Sequence, residues 1–241
     1  MTFSNLSCDS LSRDSLSRDS VSRDNKYQVV IFDWDGTLVD STARIVDSMQ
    51  MAARTVGMSD ISDFAIQQII GLGLPEALRQ LWPAINDAEL EDMRVYYPAN
   101  FSNHSTVAVD FFANTHALLV QLKQLGYQLA VATGKTRRGL DEMLDRMAVK
   151  DAFAITRCAD ETTSKPDPHM LNEILDQLEL RPEQALMVGD TSFDLDMAQV
   201  INMDSVGMTH GAHAQDILLA SGAKALCHDL NDLLEWITLN G

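Results

Sequence analysis

Residues 28–40, QVVIFDWDGTLVD, constrain this chain more than any other stretch. Val29 to Phe32 are β-branched or aromatic and run without polar alternation, which predicts a strand buried on both faces of a parallel sheet. The run stops at Asp33, and a second carboxylate follows at Asp35, directly before Gly36. Folding alone does not explain two acids closing a buried strand, because taking charge out of water is costly. In open α/β sheets the carboxyl ends of the strands border the ligand crevice, so a use for the pair is expected there. Gly36 permits a tight turn, and Thr37, with Asp40 or Ser41, is expected to tie up free amides before the next helix.

At 241 residues, 46% hydrophobic and 22% charged, the chain suits one large α/β domain or a domain plus an insertion. Formal net charge is -17, and the first 24 residues hold four Asp and three Arg, so nearly all of it belongs to the remainder. Such a surface repels nucleic acid and anionic membranes, so neither is expected as a partner. A phosphate would have to be held locally, by a metal or a few placed cations. Cys8, Cys158 and Cys227 lie far apart without CxxC spacing, which implies neither a disulfide framework nor a zinc site and fits a reducing cytoplasm. No basic-then-apolar leader and no run of membrane-spanning length is visible. Composition leaves monomer and homodimer equally open.

Residues 9–24 read DSLSRDSLSRDSVSRD, a unit of Ser, Arg and Asp with one aliphatic residue. The repeat matches neither helical nor strand period, so 1–24 is expected to be a disordered tail. A Rossmann-like core is expected over 25–41 and 107–241. Between them, residues 42–106 show apolar residues at three and four spacing with no strand-like segment, which predicts a helical insertion. Its most irregular point is GLGLP, Gly71 to Pro75, either a loop that reaches the crevice or a plain connection between helices. From Val107 the α and β alternation resumes, with a helix over 111–125, strands over 127–132, 152–156, 185–188, 206–208 and 223–227, and helices between them. The expected fold class is therefore α/β, a three-layer α/β/α core with a parallel sheet and an inserted all-helical unit.

Four segments deliver polar residues to strand ends: Asp33 and Asp35, then Thr133, then Lys165 in SKPDP, then Asp190 and Asp194 in GDTSFD. In a parallel sheet these ends converge on one crevice. Carboxylates gathered there repel one another, on the order of 4 kcal/mol per pair at about 4 Å and an effective dielectric near 20, so they need a cation. An all-oxygen set without His or Cys selects a hard ion, and Mg2+ is the abundant one that leaves positions open for a substrate oxygen. Lys165 adds a second positive charge. His210 and His213 have HxxH spacing without the carboxylate of a metalloprotease, and are expected to be ordinary surface.

IFDWDGT, VATGK, SKPDP and GDTSFD, in that order, resemble the four motifs of the haloacid dehalogenase-like phosphatase superfamily, over roughly residues 27–238. The insertion resembles the small helical cap of the subgroup containing phosphoglycolate phosphatase, β-phosphoglucomutase and inorganic pyrophosphatase. The resemblance implies Asp33 as the nucleophile that forms an aspartyl-phosphate and Asp35 as general acid, then base. It implies phosphate binding by Thr133, Gly134, Lys135 and Lys165. It implies Mg2+ held by Asp33, the main-chain carbonyl of Asp35 and Asp190, with Asp194 in support. The expected activity is hydrolysis of a small phosphorylated metabolite, as in phosphoglycolate phosphatases. A phosphomutase, a pyrophosphatase and a silent binding module on the same fold are the rivals. Asp35 argues against a dehalogenase, and the intact acid–base pair argues against a silent module. Specificity would lie with the cap, where Arg44, Arg79 and the 71–75 loop are candidates.

Overall fold

The computed structural model describes residues 25–241. The expectation of a disordered tail over 1–24 lies outside the described residues. The described residues form eight strands and ten α-helices. Strand β1 (Val29–Phe32) is the hub of a parallel sheet that also contains β4 (Gln128–Thr133), β5 (Ile155–Cys158), β6 (Ala185–Gly189), β7 (Asp204–Met208) and β8 (Ala225–Cys227), in the spatial order β5-β4-β1-β6-β7-β8. The chain adds β4 and β5 on one side of β1, then crosses over and adds β6 to β8 on the other. That reversal between β1 and β6 is the switch point at which doubly wound sheets open a crevice beyond the strands' carboxyl ends.

The unbroken apolar run of β1 is explained by its position. Val30 and Phe32 pack into one layer with Leu118, Leu122, Leu140 and Leu233. Val29 and Ile31 pack into the other with Met170, Ile174 and Met197. All four strand residues are fully buried. At roughly 1.5–3 kcal/mol for each large apolar side chain removed from water, the central strand is held from both faces and its end is fixed with it. The flanking helices are α5 (Thr115–Gln124), α6 (Arg137–Arg146), α7 (His169–Leu178), α8 (Ser192–Val200), α9 (Gln215–Ala220) and α10 (Leu230–Asn240).

Helices α1 (Thr42–Val56), α2 (Asp63–Gln67), α3 (Leu74–Leu81) and α4 (Asp87–Ala99) form the insertion and share a core of their own, built on Met49, Ile66, Leu78 and Met93. A capping box between Asn86 and Glu89 starts α4. Pro98 sits in its last turn, and the chain continues through a π-helical turn, Asn100–His104.

Two sequence expectations need correction. The helix expected over 111–125 begins only at Thr115, and Asp110–Phe111 is instead a short strand, β3, paired antiparallel with β2 (Val39–Asp40). This ribbon spans both entry and exit of the insertion, and two-residue strands carry too little alternation to be read from sequence. The strand expected over 152–156 lies at 155–158, where its register places Cys158 beside Thr133.

Arg44, one of the candidate specificity residues, serves the same junction. Its Nε donates to the carbonyl of Val107 at 2.6 Å and its NH1 to that of Phe101 at 3.0 Å. The Arg44 side chain is buried, and the two acceptor residues are half-buried. Arg44→Leu removes both charge-assisted hydrogen bonds and is expected to lower unfolding stability by about 1–3 kcal/mol, read as a lower urea midpoint. An unchanged midpoint would show that the strut carries nothing.

Candidate active site

Gly36 makes the turn out of β1. Its φ is +86°, and a Cβ there would stand 2.3 Å from Asp190 Oδ2, so the position admits no side chain. The turn delivers Asp33 and Asp35 above β1 while bringing the loop against Asp190, which follows β6. Asp33 is anchored through its own N–H to the Val188 carbonyl at 2.9 Å.

Three of the sequence-predicted residues meet at one ammonium, with Asp190 beside them. Lys165 Nζ lies 2.6 Å from Asp33 Oδ1 and 2.5 Å from Asp194 Oδ1, and all three side chains are sealed from water. Asp33, Asp190 and Asp194 each offer an oxygen within 4.8 Å of the others. Asp190 accepts from Thr37 Oγ1 and from the Ala212 N–H, both at 2.8 Å. Asp194 accepts at Oδ2 from Thr191 Oγ1 (2.7 Å) and from the Thr191 N–H (3.2 Å). Asp33 Oδ2 is buried without a hydrogen-bond partner.

The electrostatics follow from this crowding. Burial pushes the Asp33 carboxyl well above its usual range; Lys165 pulls it down, and Asp194 and Asp190 push it up again. Burial and the charge of Asp194 raise Asp190 to about 7, against the pull of Ala212, Thr37 and Lys165. Burial disfavours the Lys165 ammonium, but Asp194 and Asp33 more than offset it and raise its pKa overall. One cation among three buried carboxylates leaves an excess of negative charge, and one carboxylate oxygen has nothing to accept from. Hard oxygen donors with such an excess fit a small divalent cation.

Thr133 is buried at the end of β4, its hydroxyl accepting from the Lys135 N–H at 3.2 Å. Gly134 follows, and the insertion presses on it: a Cβ there would stand 2.4 Å from the Leu72 carbonyl oxygen and 2.5 Å from that of Gly71. The Gly73 N–H donates to Ser164 Oγ, beside Lys165, at 2.8 Å. Of the two readings of the 71–75 loop, the structure thus shows the one that reaches the crevice. Arg79 is exposed on α3.

Asp35 and Lys135 stand together on the side facing the insertion. Lys135 Nζ is 3.0 Å from Asp35 Oδ2 and 4.5 Å from the centre of the Phe101 ring, and Ser41 Oγ donates to Asp35 Oδ1 at 2.5 Å.

Several participants were not legible. Ser41 and Thr37 were expected to satisfy amides; their hydroxyls hold Asp35 and Asp190 instead, and Ser41 makes no side-chain cap to α1. Nothing local in the sequence marks the Thr37 partner, 153 positions away, whereas Ser41 turns back on Asp35, six positions earlier. The expectation that His213 is ordinary surface is wrong. It is buried, burial lowers its pKa, its Nδ1 accepts from the Ser192 N–H at 3.0 Å, and its Nε2 faces the Gln68 carbonyl at 3.4 Å. His210 Nε2 lies 3.1 Å from the Thr37 carbonyl.

A family model described as haloacid dehalogenase-like hydrolase matches residues 30–208. Phosphoglycolate phosphatase of Vibrio cholerae is 26% identical, covering 88% of this chain and 98% of the relative. That of Psychrobacter arcticus is 28% identical, covering 87% and 95%. Among solved structures, a hydrolase from Pseudomonas syringae superposes with a TM-score of 0.80 at 22% identity, over 88% of this chain and 98% of the other.

The titration of Asp190 makes a prediction. Its ordinary value is 3.8 and its folded value about 7. Between the two, the folded chain holds a proton that the unfolded chain has lost, so stability falls as pH rises through that window. A divalent cation held by these carboxylates would take over the proton's part. Thermal stabilisation by added Mg2+ is therefore expected to be larger at about pH 8 than at about pH 5. Equal stabilisation at both, or none, would contradict the site.

Proposed function

The chain belongs to the haloacid dehalogenase-like hydrolase family, and from that premise we propose that it is a Mg2+-dependent phosphatase of small phosphorylated metabolites, phosphoglycolate phosphatase-like, working through an aspartyl-phosphate. The observation that carries the reading is the cluster at the switch point: Asp33, Lys165, Asp190 and Asp194 buried together, with Asp33 Oδ2 uncommitted. The phosphoglycolate phosphatases matched over nearly their whole length support the substrate class.

Asp33 attacks the phosphorus of the bound monoester, and its oxygen–phosphorus bond forms as the ester oxygen departs. Lys165 neutralises part of the charge on nucleophile and phosphoryl oxygens, while the Thr133 hydroxyl and the Gly134 N–H orient those oxygens. Lys135 adds charge at the mouth of this cradle. Asp35, standing above β1 two residues beyond the nucleophile, donates a proton to the leaving oxygen. It then takes one from the water that attacks the phosphoryl group, releasing phosphate and restoring Asp33.

Asp33, Asp190 and the main-chain carbonyl of Asp35 would hold the ion, with Asp194 supporting from beside Lys165. When bound, Mg2+ supplies the positive charge that lets an anionic nucleophile meet an anionic substrate. Residues 42–106 serve as a cap on the crevice of a core made of 25–41 and 107–241.

Net charge of -17 supports a free metabolite rather than nucleic acid or a membrane as partner. No helix among the described residues is long and apolar enough to cross a membrane. Cys158 and Cys227 are free and buried, which supports a cytoplasmic location.

Phosphate release from an aryl phosphate should require a divalent cation. Asp33→Asn should abolish it with the fold retained, and Asp35→Asn should slow both half-reactions by about 10^2- to 10^4-fold. Near-wild-type turnover by Asp33→Asn refutes the nucleophile. A change confined to Mg2+ affinity in Asp35→Asn refutes the acid–base role.

A further inference from the structure

We infer that His213 is a positioning residue that ties the docking of the cap to the order of the Asp190 turn, so that a divalent cation held there and a docked cap favour each other. The inference rests on the phosphatase reading and deepens it. Residues 211–213 wrap Asp190. The Ala212 N–H donates to Asp190 Oδ2 at 2.8 Å, and the His213 N–H donates to the Asp190 carbonyl at 3.2 Å. A Cβ on Gly211 would stand 2.1 Å from Asp190 Oδ2, so the wrap admits no side chain there. On its other side the same segment meets the cap, where Ala212 packs against the apolar core of the insertion.

The His213 ring joins the two sides. Its Nδ1 faces the Ser192 N–H at 3.0 Å and its Nε2 faces the Gln68 carbonyl at 3.4 Å. An amide N–H can only donate and a carbonyl can only accept, so one form of the ring makes both contacts: neutral, with its proton on Nε2. Each partner is a group that its own helix leaves unsatisfied. Ser192 opens α8, whose first N–H groups have no acceptor within the helix, and Gln68 closes α2, whose last carbonyls have no donor. His213 is buried, and Phe193 meets its ring at 62° with 5.3 Å between centres, which leaves the imidazole little room to swing. Gly71 extends the contact: a Cβ there would stand 3.1 Å from Thr191 Oγ1 and 3.6 Å from Phe193 Cδ2, and Thr191 in turn donates to Asp194. The cap thus rests on residues 191–193, between two of the clustered acids, with the imidazole as its hydrogen-bonding bridge. Ordering that turn fixes the ring and aims its Nε2–H at the cap, and linkage makes the coupling equal in the other direction. The cap-side bond is the longer of the two, so the bridge opens there first.

Two substitutions separate the halves of the bridge. Asn can place an oxygen where Nδ1 stands but does not extend to Gln68, whereas Gln can place an amide N–H where Nε2 stands but offers Ser192 no acceptor. Hydrogen–deuterium exchange of residues 68–73 with and without Mg2+ reads cap docking. The rise in Tm on adding Mg2+ reads the metal turn, and KM and kcat for an aryl phosphate read the reaction. In wild type, Mg2+ should slow exchange across 68–73. In His213→Asn the exchange should be fast with or without Mg2+, while the Mg2+ rise in Tm persists. KM there should increase roughly 2- to 10-fold with kcat moved less, as for one neutral hydrogen bond lost. His213→Gln should keep slow exchange without a Mg2+ response, and show a smaller Mg2+ rise in Tm. Wild-type exchange that ignores Mg2+, while phosphate release requires it, would overturn the coupling and leave the phosphatase intact. A Mg2+ response retained in His213→Asn would overturn it as well, as would identical changes in every readout from both substitutions, the pattern of a packing role alone. A wild-type protein that releases no phosphate with any divalent cation would overturn the parent reading and this one with it.

Discussion

One ammonium buried between two carboxylates organises this molecule. Lys165 reaches Asp33 and Asp194 with no access to water, and charges taken that far from solvent must be matched closely or the fold loses several kcal/mol. The match is made by long-range pairing, since Lys165 is brought in from the loop before α7, Asp33 from β1 and Asp194 from α8. The pairing is incomplete as charge arithmetic, because Asp190 lies in the same cluster. A protein evolved only for stability would replace such a cluster by apolar side chains at little cost. Its persistence is intelligible if a cation and a phosphoryl group complete it.

The sheet makes the cluster possible. With β1 central and buried on both faces, its end is among the most rigidly placed points in the chain, and the crossover to β6 opens the space beside it. The helical insertion then approaches that space with backbone groups, the carbonyls of Gly71 and Leu72 on Gly134, the Gly73 N–H on Ser164 and the Gln68 carbonyl beside His213, and with the Phe101 ring on Lys135. The backbone contact at Gly134 leaves no room for a Cβ, and Gly71 takes a positive φ of 101°.

What was legible in the sequence was what local pattern encodes. The apolar run of β1, the strand-end acids, the helical periodicity of the insertion and the order of SKPDP and GDTSFD all sit within windows of a few residues. The illegible parts are contacts between distant windows. Thr37 holding Asp190 spans 153 positions, and Lys135 meeting Asp35 depends on how β4 lies beside β1. His213 reads as a surface residue because nothing nearby in sequence shows that Phe193 and the Gln68 carbonyl will cover it. The β2–β3 ribbon was missed because pairing, not composition, makes it a strand.

The most direct test of the central claim is a crystal structure with Mn2+ in place of Mg2+, located by anomalous scattering, and beryllium fluoride as a phosphoryl mimic. The account predicts the cation against the carboxylates of Asp33 and Asp190, and the fluoride adduct bonded to Asp33 between Thr133 and Lys165. A cation bound away from these acids, or an adduct on any other side chain, would contradict it.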